Sequence, residues 1–144
     1  MPPLVRRYIK TSFAFLVLGL LLGGYLVVGQ FVLGRYPSRL LVTAHAHLLL
    51  IGFMLMIVMG VATWMFPRPG RDDARYRPEL AEAVYWVMAT ATALRATAEV
   101  MLGTTGLGTL GWFIAAGGLG QLVGAALFVL NMWWRIRMPP AAGR

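Results

Sequence analysis

Two histidines two residues apart, His45 and His47, and an arginine and a glutamate four apart, Arg95 and Glu99, stand in stretches that are otherwise apolar. A titratable side chain in such surroundings is costly unless it has a partner or a task. Imidazole is a ligand for haem iron or a first-row metal ion, and carboxylate can complete a metal's coordination or orient the imidazole from behind. The chain has no cysteine, so disulfides, thiolate metal sites and covalently attached c-type haem are excluded. Nitrogen, oxygen and thioether donors remain. Residues two apart on a helix point about 200° away from each other, so His45 and His47 cannot serve one metal from the same helix. Arg95 and Glu99 share a face and can pair, which makes both tolerable in lipid.

The elements that must position these residues are long and apolar. Four stretches of roughly 20 residues, the thickness of a hydrocarbon core at 1.5 Å per residue, cover residues 11–33, 40–66, 80–102 and 107–134. The chain is 59% hydrophobic and 12% charged with a mean hydropathy of +0.71, too little charge to coat a soluble globule. The expected fold is an all-α membrane protein, one four-transmembrane-helix bundle over residues 1–138, with a disordered tail over 139–144. The first span is expected to remain in the membrane, because its apolar run is too long for a cleaved signal.

A net charge of +8 would suit a nucleic-acid binder, but its placement explains it otherwise. Arg6, Arg7, Lys10, Arg68, Arg71, Arg75, Arg77, Arg135, Arg137 and Arg144 fall on one side of the expected spans, and only Arg35 and Arg39 on the other. Cytoplasmic loops carry the excess of Lys and Arg, so both termini are expected in the cytoplasm, and no nucleic-acid partner is expected. With that topology His45 and His47 lie about 8–10 Å below the outer surface, Arg95 about 10 Å and Glu99 about 5 Å. The four share a layer, which Gln30 could join. Gln121, mid-membrane in the fourth helix, is expected to hydrogen-bond across helices.

His45 heads a stripe with Leu49, Gly52, Met56, Met59 and Thr63, and His47 heads another with Ile51, Met54, Val58 and Met65. Gly52 removes a side chain where a flat macrocycle would lie, or else marks helix packing. Gly19 and Gly23, the series Ala116, Gly120 and Gly124, and the line Ala89, Ala93 and Ala96 mark close helix approaches.

The stretch Val42-Thr-Ala-His-Ala-His47, followed by an apolar run with Gly60 and closing with Trp64-Met-Phe-Pro67, resembles the second transmembrane helix of subunit I of haem-copper oxidases and nitric oxide reductases. The resemblance covers roughly the first 70 residues, a helix pair in the bundle sense. It implies that His45 is an axial ligand of a low-spin haem b near the outer surface. The chain departs from the family in having two histidines in all, too few for the oxygen-reducing binuclear site, and in placing His47 where the family has an apolar residue.

These readings lead to a small membrane b-type cytochrome of the inner, cytoplasmic membrane, which transfers electrons or senses a gas. Its missing axial ligand would come from a homodimer partner, or from a methionine such as Met101, since Met56 and Met59 lie too deep. Arg35, Arg39 or Arg95 would hold the propionates. His47 and Glu99, with their symmetry mates, would form a second site for copper, zinc or iron. Two alternatives stand beside this: an accessory or assembly subunit passing copper or haem to a larger oxidase complex, and a structural helper subunit whose polar layer is only a hydrogen-bond network.

Overall fold

The computed structural model describes residues 1–67 and 77–137, and these are almost entirely helical. Four long helices follow one another: α1, Pro3–Phe31; α2, Arg39–Met65; α3, Pro78–Thr105; and α4, Gly111–Trp133. The basic residues Arg68, Arg71, Arg75 and Arg144 and the expected disordered tail 139–144 lie outside the described residues. Three helices, α1, α2 and the stretch Gly108–Trp133 that contains α4, are long and apolar enough to cross a membrane. Of the residues in their most apolar windows, 17–33% are buried. Leu21, Leu50, Leu122 and Leu130 are all more than 60% exposed. So broad an apolar surface needs lipid or other protein against it rather than water.

Local chemistry explains where the helices begin and end. Pro3 and Pro78 sit in the first turn of α1 and α3, where a missing N–H costs nothing. Ser38 accepts a hydrogen bond from the Leu40 N–H at the start of α2 (3.3 Å). Gly106, at φ 73°, ends α3 in a left-handed cap that only glycine adopts freely. Helix α1 begins eight residues before the apolar span expected from residue 11, because hydropathy marks the lipid-facing length and not the helix itself. The additional turns bury Val5 and Tyr8. Tyr8 stacks edge-to-face on Tyr85 of α3 (centroids 5.0 Å apart), Thr11 shares a 2.8 Å hydrogen bond with the Tyr85 hydroxyl, and Arg7 pairs with Glu82.

Consecutive helices run antiparallel, as the pairing of residues along each seam requires. On the α1–α2 seam a side chain added at Gly60 would strike Tyr8, at Gly52 Phe15, at Gly19 Leu49 and at Gly23 His45. On the α3–α4 seam Gly117 lies on Arg95, Gly120 on Ala91 and Gly124 on Met88. Gly120 and Gly124 thus lie on the seam as expected, while Ala116 is exposed and Gly117 takes its place. Helix α4 packs almost wholly on α3, so the four helices form a row folded around α2 and α3 rather than a closed ring. At one end Arg135 ties α4 to α2: its guanidinium donates to the carbonyls of Thr63 (2.9 Å), Phe66 (2.7 Å) and Pro67 (2.9 Å). A cation there satisfies the orphan carbonyls that end a helix.

The middle of α2, Leu48–Leu55, is π-helical. The buried residues of α2 run Leu41, Ala44, Leu48, Gly52, Met56, Met59, Gly60 and Thr63. Successive steps of four drift by about 40° each on an α-helix, and the wider π turn absorbs that drift, so 44, 48, 52 and 56 keep one face. The stripe expected to begin at His45 therefore begins at Leu41 and Ala44. His45 and Leu49 lie on its flank, against α1.

Candidate functional site

His45 projects from α2 onto the glycine face of α1. Its Nδ1 lies 2.8 Å from the carbonyl oxygen of Gly19. A Cβ at Gly23 would fall 2.6 Å from Cε1 of the ring, so only glycine admits the imidazole there. A carbonyl only accepts, so Nδ1 carries the proton and donates it. In the neutral ring that leaves Nε2 with its lone pair, and Nε2 has no hydrogen-bond partner among the described residues. An imidazole held through Nδ1 by a backbone carbonyl is the arrangement that orients a histidine for ligation through Nε2.

His47, on the opposite side of α2, enters a chain of polar groups that crosses three helices. Its Nδ1 lies 2.9 Å from Oε2 of Glu99 on α3. Oε1 of Glu99 accepts from Nε of Arg95 at 3.1 Å. Arg95 continues through Nη1 to Oε1 of Gln121 on α4 (3.0 Å), and Gln121 donates through Nε2 to Thr92 (3.2 Å). Glu99 is 1% exposed and Thr92 fully buried. Gly117 and Gly118 make the room: a Cβ at the first would lie 2.7 Å from Cβ of Arg95, and at the second 3.2 Å from its Nη1. No buried side-chain nitrogen or oxygen of the described residues lacks a partner. One carboxylate and one guanidinium cancel, and both oxygens of the buried carboxylate are paired, which is what a buried ionic group requires.

The residues singled out from sequence thus divide. His47, Glu99 and Arg95 come together with Gln121, while Gln30 takes no part in this network. Arg95 is turned to Glu99 and α4, whereas His45 faces α1, so Arg95 is not directed at the His45 imidazole. The space beside Gly52, expected to leave room for a macrocycle, is filled by Phe15, with 2.7 Å between the would-be Cβ and both Cβ and Cγ of that residue. Both oxygens of Glu99 are engaged, and the described residues hold no cluster of three or more His, Cys, Asp or Glu. In this arrangement Glu99 is the acceptor that orients His47 and balances Arg95. Arg35 and Arg39 are exposed near the connection between α1 and α2, with no ion pair among the described residues. Sequence reasoning missed Thr92, whose hydroxyl ends the chain, and Phe15.

Two openings lie near these groups. An apolar groove of about 300 Å³ separates α1 from α3 above Leu48, lined by Leu18, Leu22, Ala93, Thr97 and Met101 among others. A larger cavity, about 650 Å³, opens between the end of α1, residues 33–38, the first turn of α2 and the end of α3.

The fold and site define an all-helical protein with helices of membrane-crossing length around a satisfied polar layer. No protein-family model matches the chain, and no solved structure matches it.

Proposed function

We propose that the protein is a multi-pass membrane cytochrome that holds haem b through Nε2 of His45, for electron transfer or gas sensing. The observation that carries this reading is the His45 ring itself, fixed by the Gly19 carbonyl on one nitrogen, seated on Gly23, and unpartnered on the other. The resemblance of Thr43-Ala44-His45 to the haem-ligating helix of haem-copper oxidases points to the same residue. Bound there, haem would supply a reversible one-electron couple and an iron able to meet a diatomic gas.

What the chain's own residues do follows from their geometry. Gly19 holds the ring plane and the tautomer, and Gly23 lets α1 approach the imidazole. Neither of the two cavities described above is lined by His45. A second copy would supply the other axial ligand across a two-fold axis. Arg39, six residues outward of His45 on the same helix, is the cation placed for a propionate. His47, similarly held through Nδ1 but by a carboxylate, supports a second reading in which its Nε2 takes a copper, zinc or iron ion, as in an accessory subunit that carries metal to a larger oxidase.

The fourth span belongs to this proposal as well. Helix α3 is 28 residues long, and its Arg95, Glu99 and Thr92 are paired inward, so it can cross lipid despite their presence. Four crossings put both termini on the cytoplasmic side of the inner membrane, in keeping with the arginine distribution. A reporter fused to the C-terminus that reads outside would reject this arrangement.

The deciding experiment is the visible spectrum of detergent-purified protein with its haem content. Wild type is expected to show a low-spin b-type spectrum with one haem for every two chains, and His45→Ala to lose it while His47→Ala keeps it. One haem per chain would remove the shared-haem dimer. An unchanged spectrum in His45→Ala would remove His45 as the ligand.

A further inference from the structure

The cavity of about 650 Å³ where α1 passes into α2 has a lining that is part polar and part apolar. Its single charged residue is Arg35, and no acidic residue lines it. Arg35 has no salt-bridge partner among the described residues. Tyr25, Tyr36 and Ser38 add hydroxyl groups to the same wall. Ser38 uses its oxygen to accept from the Leu40 N–H, which leaves its proton to donate. Neither tyrosine has a hydrogen-bond partner among the described residues, and both are well exposed, at 64% and 92%. The polar part of the cavity is therefore rich in donors and carries one positive charge. The remaining wall is apolar, with Val28 and Leu33 both more than 40% exposed.

We propose that this cavity binds the phosphate headgroup of an anionic phospholipid, with one acyl chain lying along Val28 and Leu33. A phosphate diester offers acceptors only and a negative charge, which complements a guanidinium fork and free hydroxyls. A small hydrophilic anion would leave the apolar wall uncovered, whereas a lipid covers both parts. The level is also right, since the cavity lies at the ends of two helices long and apolar enough to span a bilayer, where headgroups are found. The site does not use His45 and stands independently of the haem reading.

Native mass spectrometry of delipidated protein in neutral detergent tests it, with phosphatidylglycerol, phosphatidylcholine of the same chains and inorganic phosphate as probes. One phosphatidylglycerol is expected to bind per chain, about tenfold more tightly than phosphatidylcholine, as a lost charge-assisted contact requires. Arg35→Gln should remove that preference, and Tyr36→Phe should weaken it about threefold. Arg39→Gln, which changes a neighbouring cation outside the cavity lining, should leave it intact, as should His45→Ala. Equal loss in Arg35→Gln and Arg39→Gln would mean diffuse attraction to positive charge and would overturn the proposal. So would equal binding of both lipids, or displacement of the lipid by inorganic phosphate at equal concentration. Both arginines are exposed, so these variants should fold, and an unchanged elution volume checks that they do.

Discussion

His45 and His47 are separated by one alanine and have opposite surroundings. The first rests on the α1 seam, where Gly19 and Gly23 offer a backbone carbonyl and empty space, and nothing charged pairs with it. The second belongs to the α2–α3–α4 side, where Glu99, Arg95, Gln121 and Thr92 form a continuous chain. A carbonyl orients the His45 imidazole without adding charge, whereas the carboxylate that orients His47 is itself tied to a guanidinium. The same residue type at nearly the same depth is therefore left available on one side and built into a structural network on the other. The glycines follow this division: on α1 they admit a ring, and on α4 they admit the stem of Arg95.

The largest expected effect tests whether the second region is structural. Glu99→Ala leaves Arg95, whose side chain is only 25% exposed, without its counter-ion, and breaking a buried pair costs on the order of 3 kcal/mol or more. The variant is expected to aggregate or to lose stability steeply in a thermal or denaturant series in detergent. Removing both charges in Arg95→Leu/Glu99→Gln should recover much of the loss. If Glu99→Ala is as stable as wild type, the network does not hold the helices together and the contrast between the two sides fails.

An intermediate effect sharpens the first region. Gly23→Ala places a methyl group 2.6 Å from Cε1 of His45, so the ring or α1 must move. Overpacking of this kind costs about 1–3 kcal/mol. Its signature should be specific: the haem fraction should fall and the spectrum shift, while Gly24→Ala, which meets nothing within 4 Å, behaves as wild type. Equal spectra for the two variants would detach the ring position from the cofactor.

The smallest effect lies at the end of the polar chain. Gln121→Leu removes the bonds to Arg95 and Thr92, and interhelical hydrogen bonds in membranes average about 0.6 kcal/mol. A loss near that size, with haem content unchanged, would agree with a layer whose parts are separable. A collapse of haem binding in Gln121→Leu would instead join the two regions into one functional unit.

Much of this arrangement was legible beforehand. The helices follow from apolar runs of bilayer length, and Pro78 and the 103–108 glycines mark the boundaries of α3, because proline and left-handed glycine act through local backbone sterics. The Arg95–Glu99 pair follows from i, i+4 spacing. The opposed directions of His45 and His47 follow from 100° per residue, and the two rings do contact different helices. The boundary of α1 was displaced, because hydropathy reports on lipid contact and is silent about a helix that continues into water.

By itself, the sequence determined which stretches are helical, which residues must be buried in pairs, and that any cofactor must be held by nitrogen, oxygen or thioether. These depend on composition and on spacing within one helix, where neighbours are set by the helical repeat alone. Only the tertiary structure decided that Phe15 fills the space at Gly52, that Gly117 and not Ala116 faces α3, that Glu99 reaches His47 across helices, and that Arg135 closes the end of α2. Each of those contacts joins two helices whose relative rotation and height no single helix specifies. The π turn at Leu48–Leu55 shows why: one widened segment rotates everything below it, and its reason lies in the packing of α1 against α2.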